Sequence, residues 1–469
     1  MQASRWGANA AVAALLCGCF TPGDGVTLET EDGSSEGTDT AQPSTTDPTD
    51  PSTSGPTTTD STDPTNPTDP TDPTTTDPTD TDPTETASDT TMGDDTTGGV
   101  DPACADGSAD PGELCLGMPP NALMAPQMPV DVALGDISSN GLVDIIVLAR
   151  GMQDSTDIVV TLEADGVGGY VQGTTEPTPS PASRLRLGDL DNDDDLDVVV
   201  HGGDIVWLRN QGTFFLDYDI ANNFSGSWEV SDIFIADLDG DGVLDVGYTE
   251  AYGRAWVQGA LSNGSWVTAG SDSFPGPGEG ASGMAAGPLS QDAGGDNVDV
   301  LMFNQYDSAA MFIAGNGDGS FEVGDNFQVC PGDIDGVRYG ELADFNDDGM
   351  TDVVVTCMDG DGAVSLGNAG GLDTPVALPL AGAFKPAVVD IDADGDLDVL
   401  LGSTTLSRAV LFINDGAGAF ELSDQQFMAP GPVYAVAAGD LNDDGATDVV
   451  VASAPQDMPG RVDVYTADP

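Results

Sequence analysis

Residues 390–401 read DIDADGDLDVLL, and this stretch decides the fold. Asp390, Asp392 and Asp394 occupy the first, third and fifth places of a loop, Gly395 the sixth and Asp398 the ninth. Carboxylates at alternate places gather on the inside of a tight turn, and the glycine allows its sharp bend. Oxygen donors in this order suit a hard cation such as Ca2+. The loop runs into Val399-Leu400-Leu401. A continuous apolar run bounded by a turn fits a strand buried on both faces, not the 3.6-residue period of a helix. The helix of a helix–loop–helix calcium site is therefore missing, and so is its bidentate glutamate at the twelfth place; Asp398 at the ninth stands instead.

The same layout recurs about every 51 residues, the sign of a repeat architecture. Five loops carry the strong candidate metal ligands: Asp189, Asp191, Asp193 and Asp197; Asp237, Asp239, Asp241 and Asp245; Asp344, Asn346, Asp348 and Asp352; Asp390, Asp392, Asp394 and Asp398; Asp440, Asn442, Asp444 and Asp448. The first loop, Asp136, Ser138, Asn140 and Asp144, has fewer carboxylates and a weaker expected affinity. The fourth opens on Pro288 and has extra residues before Asp299, so it is expected to be metal-free. Asp194 replaces glycine in the second loop, where aspartate tolerates the left-handed conformation better than most residues. Several repeats continue into turn residues and an aromatic, as in Asn316-GDGSF and Asn414-DGAGAF, which can anchor the next strand. Repulsion within each acidic loop argues for a cation there, in a structural role, since a filled shell leaves no place for substrate.

This pattern resembles the FG-GAP/VCBS repeats of bacterial surface proteins, related to the repeats of the integrin alpha-chain head. The resemblance covers roughly 350 residues. It implies an all-β fold: a seven-bladed β-propeller over residues 119–469, one four-stranded blade per repeat. The last repeat stops at RVDVYTADP, before an outer strand, and Asn121-ALMAPQMP ahead of the first is placed to supply it. The period excludes the nonapeptide calcium roll.

Ahead of the repeats the chain reads as three pieces. Residues 1–18 form a signal, with Arg5 before a short apolar run from Ala10 to Leu16. Leu16-Cys17-Gly18-Cys19 resembles a bacterial lipobox, which implies cleavage before Cys19 and lipidation of Cys19; Phe20 after it resembles Gram-negative outer-membrane lipoproteins. Residues 19–100 form a tether rich in Thr, Asp and Pro. Such a segment buries too little to offset its ordering entropy and is expected to be disordered and extended. Residues 101–118 form a small knob, where Cys104-ADGSADPGEL-Cys115 resembles a cysteine-rich motif of secreted myxobacterial proteins. Four cysteines remain in an oxidising compartment and allow three pairings; the local one, Cys104 with Cys115 and Cys330 with Cys357, is expected.

Composition narrows the function. With 10 basic against 81 acidic side chains, a net charge of -71, no basic stripe is available for a nucleic acid. The membrane is reached through the lipid anchor alone. Single His201 cannot build a histidine metal site, and no G-x-S-x-G motif accompanies it, so a structural histidine and a non-enzymatic chain are expected. Trp228, Tyr252, Trp256 and Trp266 lie within the third repeat, where packing between blades is expected and a binding face is the alternative. The reading is a lipid-anchored, calcium-binding propeller exposed at the cell surface, binding a protein or glycan. The alternatives are a polysaccharide-active enzyme or accessory domain, for which the repeat family gives precedent, and a structural envelope protein.

Overall fold

The structure is a computed structural model, and it describes Leu116 and residues 121–467 apart from short stretches, the longest being 221–229, 259–272, 276–280 and 290–296. The signal, Cys17 and Cys19, the tether, Cys104, Cys115, Trp228, Tyr252 and Trp266 lie outside the described residues.

Among the described residues the chain is all-β, with seven four-stranded sheets. The second strand of each is the apolar run that follows an acidic loop: Asp144–Arg150, Asp197–Gly202, Asp245–Glu250, Asp299–Asn304, Asp352–Cys357, Asp398–Ser403 and Asp448–Ser453. Each pairs antiparallel with a strand before the loop and one after it. These runs need not alternate, because both their faces are buried. Outer strands such as Tyr170–Thr178 and Phe321–Gln328 are mostly exposed and correspondingly polar.

Burial lies between the sheets. Ile146, Leu148 and Val159 of the first sheet pack on Leu185, Val198 and Val206 of the second. Similar clusters join the second to the third, the third to the fourth, and so on to the seventh. One more joins the seventh to the first, where Val450 and Val462 meet Val132 and Ile145. The sheets thus surround an axis as in a β-propeller, their first strands side by side. Asn121–Met124 pairs antiparallel with Arg461–Tyr465 and completes the last sheet, as the truncated final repeat requires. Leu116 makes a further bridge to Ala467. Cys330 and Cys357, both fully buried, are joined by a disulfide, in agreement with the local pairing.

The axis holds a feature that the repeat pattern does not announce. Asp131, Arg184, Arg186, Asp232, Glu341 and Lys385 come from the innermost strands of five sheets, and all six are buried. Six of the seven innermost strands shift register at the same place, for example between Pro129 and Asp131 and between Phe384 and Pro386. A bulge re-aims side chains, and here it accompanies Asp131, Asp232, Glu341 and Lys385, whereas Arg184 and Arg186 reach the axis from the one innermost strand without a shift. Lys385 Nζ pairs with Asp131 and donates to Val130 O at 3.0 Å. Asp131 also accepts the Leu185 N–H at 2.9 Å. Arg184 Nε lies 3.0 Å from Asp232. Burial alone would raise the Asp131 carboxyl, but Lys385, Arg184 and Arg186 hold it below the usual carboxylate range. Burial, with Arg184 and Arg186 alongside, pushes Lys385 down to about 7. Burial also drives Glu341 well up, offset in part by Arg186.

Candidate functional site

Six loops between first and second strands share one construction. In the seventh sheet's loop the Asp440 carboxylate accepts the N–H groups of Asp444 at 3.2 Å and Gly445 at 2.9 Å, and Asp444 accepts that of Ala446 at 2.9 Å. Asp344 and Asp348 do the same in the fifth, taking Asp348 N–H at 3.2 Å, Gly349 N–H at 2.8 Å and Met350 N–H at 2.8 Å. The first-place carboxylate therefore winds the loop about itself. The sixth place is left-handed in all six loops, including Asp194 at φ 70°, where only glycine is free of strain. The fourth place is left-handed as well: Ser139, Asn192, Gly240, Asp347, Ala393 and Asp443. That second requirement leaves no residue signature, because five different residue types satisfy it, and the sequence reading passes over it.

The ninth-place aspartate opens the second strand and ties the loop to the sheet. Asp398 accepts Ile391 N–H at 3.2 Å and Asn414 N–H at 2.8 Å. Asp197, Asp352 and Asp448 accept the equivalent pairs, while Asp144 in the first loop accepts the Ser138 N–H, one place further on, and that of Ala164. Asp299 of the divergent fourth loop keeps both bonds, to Leu289 and Gly315. The ninth aspartate is thus a backbone clasp in its own right, and each oxygen retains a second lone pair for another partner.

The first, third and ninth carboxylates converge in three loops. In the sets Asp189, Asp191, Asp197; Asp237, Asp239, Asp245; and Asp390, Asp392, Asp398, one oxygen from each lies within 4.8 Å of the others. Burial pushes Asp197 and Asp398 up to about 7 and Asp448 up to about 6, against the backbone N–H bonds that lower them. Burial, then the neighbouring Asp394, raises Asp392 too. Asp191 Oδ1 and Asp390 Oδ1 are buried and accept no hydrogen bond. Crowded carboxylates with unsatisfied inward oxygens fit a hard cation, and these acidic clusters could bind metal ions. The fifth and seventh loops place Asn346 and Asn442 at the third position, and both amide oxygens accept a loop N–H. Ser138 and Asn140 leave the first loop with two carboxylates of this set, Asp136 and Asp144.

Adjacent loops also touch. Asn210 donates to Ile137 O at 2.7 Å, and Asn414 to Phe345 O at 2.7 Å, each reaching the preceding repeat's loop. Thr447 donates to Asp390 O at 3.0 Å. These asparagines read in the sequence as turn residues alone; their recurrence just ahead of the turn glycines was the available signal. His201, 4% exposed, shares a 2.8 Å hydrogen bond with Ser183.

Residues 344–401 and 390–451 match the family model described as FG-GAP-like repeat. No curated protein matches the chain. Among solved structures the chain is similar to BBS1N in a complex with ARL6DN soaked with lead, at 11% identity and a TM-score of 0.48, covering 74% of this chain and 93% of that one. It is also similar to a protein from Lactobacillus plantarum, at 13% identity and a TM-score of 0.44, covering 65% and 85%.

Proposed function

We propose that this chain, which carries FG-GAP-like repeats on a β-propeller frame, is a calcium-stabilised binding module whose seven sheets are the blades of one closed ring. The frame suits a binding or interaction module generally. The observation that supports calcium is the convergence of three carboxylates in the second, third and sixth loops, with Asp191 Oδ1 and Asp390 Oδ1 left without a partner. An all-oxygen donor set on a flexible turn favours Ca2+ over Mg2+, which demands stricter geometry and keeps more water. The ions would brace the turns that launch the second strands, a structural and not a catalytic task.

The rest of the reading comes from the sequence. Cys19 would carry lipid, residues 19–100 would hold the propeller away from an outer membrane, and one exposed face would take a surface protein or glycan.

The test is a count of bound calcium on the purified full chain by elemental analysis, followed by thermal unfolding with calcium and after its removal. Three to six ions and a large fall in melting temperature on removal are expected, since an ion bound only by the folded chain stabilises it by mass action. No bound ion and an unchanged melt would refute the calcium reading.

A further inference from the structure

The second loop differs from its counterparts in its charges. It is the most acidic of the set, with Asp189, Asp191, Asp193, Asp194, Asp195 and Asp197 in nine residues. Its carboxylate cluster already holds a cation of the chain itself. Arg209 Nε lies 3.1 Å from Asp191 Oδ2, with the two side chains 25% and 11% exposed. The guanidinium is stacked over the Trp207 ring, 4.3 Å from its centroid. Stacking fixes the plane of the group and favours arginine over lysine at such a place.

Arg209 stands at a defined place in the repeat, one residue before the N–H that bonds the ninth-place aspartate. That N–H belongs to Asn210 in the second sheet. Its equivalents are Ala164, Gly315, Gly367, Asn414 and Ala467. The residues equivalent to Arg209 are therefore Glu163, Ala314, Leu366, Ile413 and Thr466, none of them basic. The equivalent in the third sheet lies outside the described residues. The sixth cluster can be compared directly: among the described residues, no Lys or Arg pairs with Asp390, Asp392 or Asp398.

We propose that Arg209 is a built-in counter-cation of the second loop, which keeps that loop folded without a metal and sets its calcium affinity well below that of the sixth loop. The inference rests on the calcium reading above. Asp191 Oδ1 is buried and still without a hydrogen-bond partner, so the loop remains able to bind. A bound ion, however, meets a cluster already part-neutralised and a like charge beside it, in partly buried surroundings where such repulsion is poorly screened. The two loops then fill in sequence as calcium rises, and the second fills after the sixth.

Trp207 provides a reporter close to this loop. Its buried indole faces the Asp197 carboxylate and lowers that group's pKa against the dominant effect of burial. Terbium luminescence excited through tryptophan would be titrated on the purified full chain, with Trp207→Phe assigning the signal and equilibrium dialysis counting total calcium. Arg209→Met keeps an apolar stem over the indole and removes the charge. It is expected to tighten the Trp207-sensitised site by about tenfold or more, the effect of removing one adjacent like charge. Arg209→Gln should do the same, and both variants should melt below the parent when stripped of metal. Equal or weaker binding in both variants, with other loops filled, would overturn this proposal alone and make Arg209 an orienting group for Asp191. Absence of ions from every loop would overturn the calcium reading and this inference together.

Discussion

Asp131 and Lys385 form one ion pair at the axis, yet losing either partner should have very different consequences. Asp131 lies within 4.0 Å of Arg184 and 3.9 Å of Arg186 as well as pairing with Lys385. Asp131→Asn leaves three buried basic groups with Asp232 as the remaining axial carboxylate partner, and turns an amide N–H toward Lys385 or the Leu185 N–H. Breaking a buried pair from one side typically costs about 3–5 kcal/mol. Lys385→Met removes a group that the fold accommodates poorly. Its pKa falls from 10.5 to about 7 through burial, so keeping it charged at neutral pH costs roughly 4 kcal/mol relative to the unfolded chain. Asp131 keeps two arginines, and the loss of its third partner is largely offset. We therefore expect Asp131→Asn to destabilise by ~3–5 kcal/mol and Lys385→Met by ~1 kcal/mol or less. For a body of about 350 residues the first corresponds to a fall of ~5 °C in melting temperature. Calorimetry of both variants in saturating calcium measures this. A depressed lysine also means that the unfolded chain binds more protons between pH 7 and 10, so the parent gains stability as pH rises through that window and Lys385→Met does not. Equal costs for the two variants, or a flat pH response in the parent, would refute the reasoning.

Metal-stripped protein should melt higher at pH 5 than at pH 7.5. Asp197, Asp398 and Asp448 are raised to about 7, 7 and 6 by burial, so the folded state binds more protons between about pH 4 and 7 and loses stability as pH rises through them; scanning calorimetry at the two pH values decides it, and added calcium should reverse the order. Asp390→Asn combined with Asp392→Asn should lower the calcium count by one and leave the other loops filled, as read by equilibrium dialysis. Replacing Cys330 and Cys357 together by alanine releases a cross-link over a sequence separation of 27 and should cost ~3–4 kcal/mol in urea unfolding. Deleting residues 121–124 bares the edge of Arg461–Tyr465, and the product should be less stable and prone to self-association by sedimentation.

The loops and second strands were legible because each needs particular residues at fixed spacing: carboxylates at alternate places, glycine at the sharpest bend, then an unbroken apolar run. Asn121–Met124 was legible by subtraction, since the final repeat lacks a strand. The axial cluster was not. Asp131, Arg184, Glu341 and Lys385 occupy innermost strands far apart in sequence, and nothing local marks them; they meet because the ring closes. Arg209 was missed for the same reason. It lies 18 residues after Asp191, at a place where the other repeats carry apolar residues, threonine or glutamate, and its meaning depends on the sheet bringing third-strand end and loop together.

The pairing of Asn121–Met124 with Arg461–Tyr465 has a mechanical consequence. A load applied through the residues ahead of Leu116 does not first reach the sheet that follows in sequence. It meets the bridge to Ala467 and then the four paired residues on the final strand. Those contacts join the two ends of the ring, so tension on the leading segment is borne at the seam, and rupture there would open the circle before any single sheet unravels.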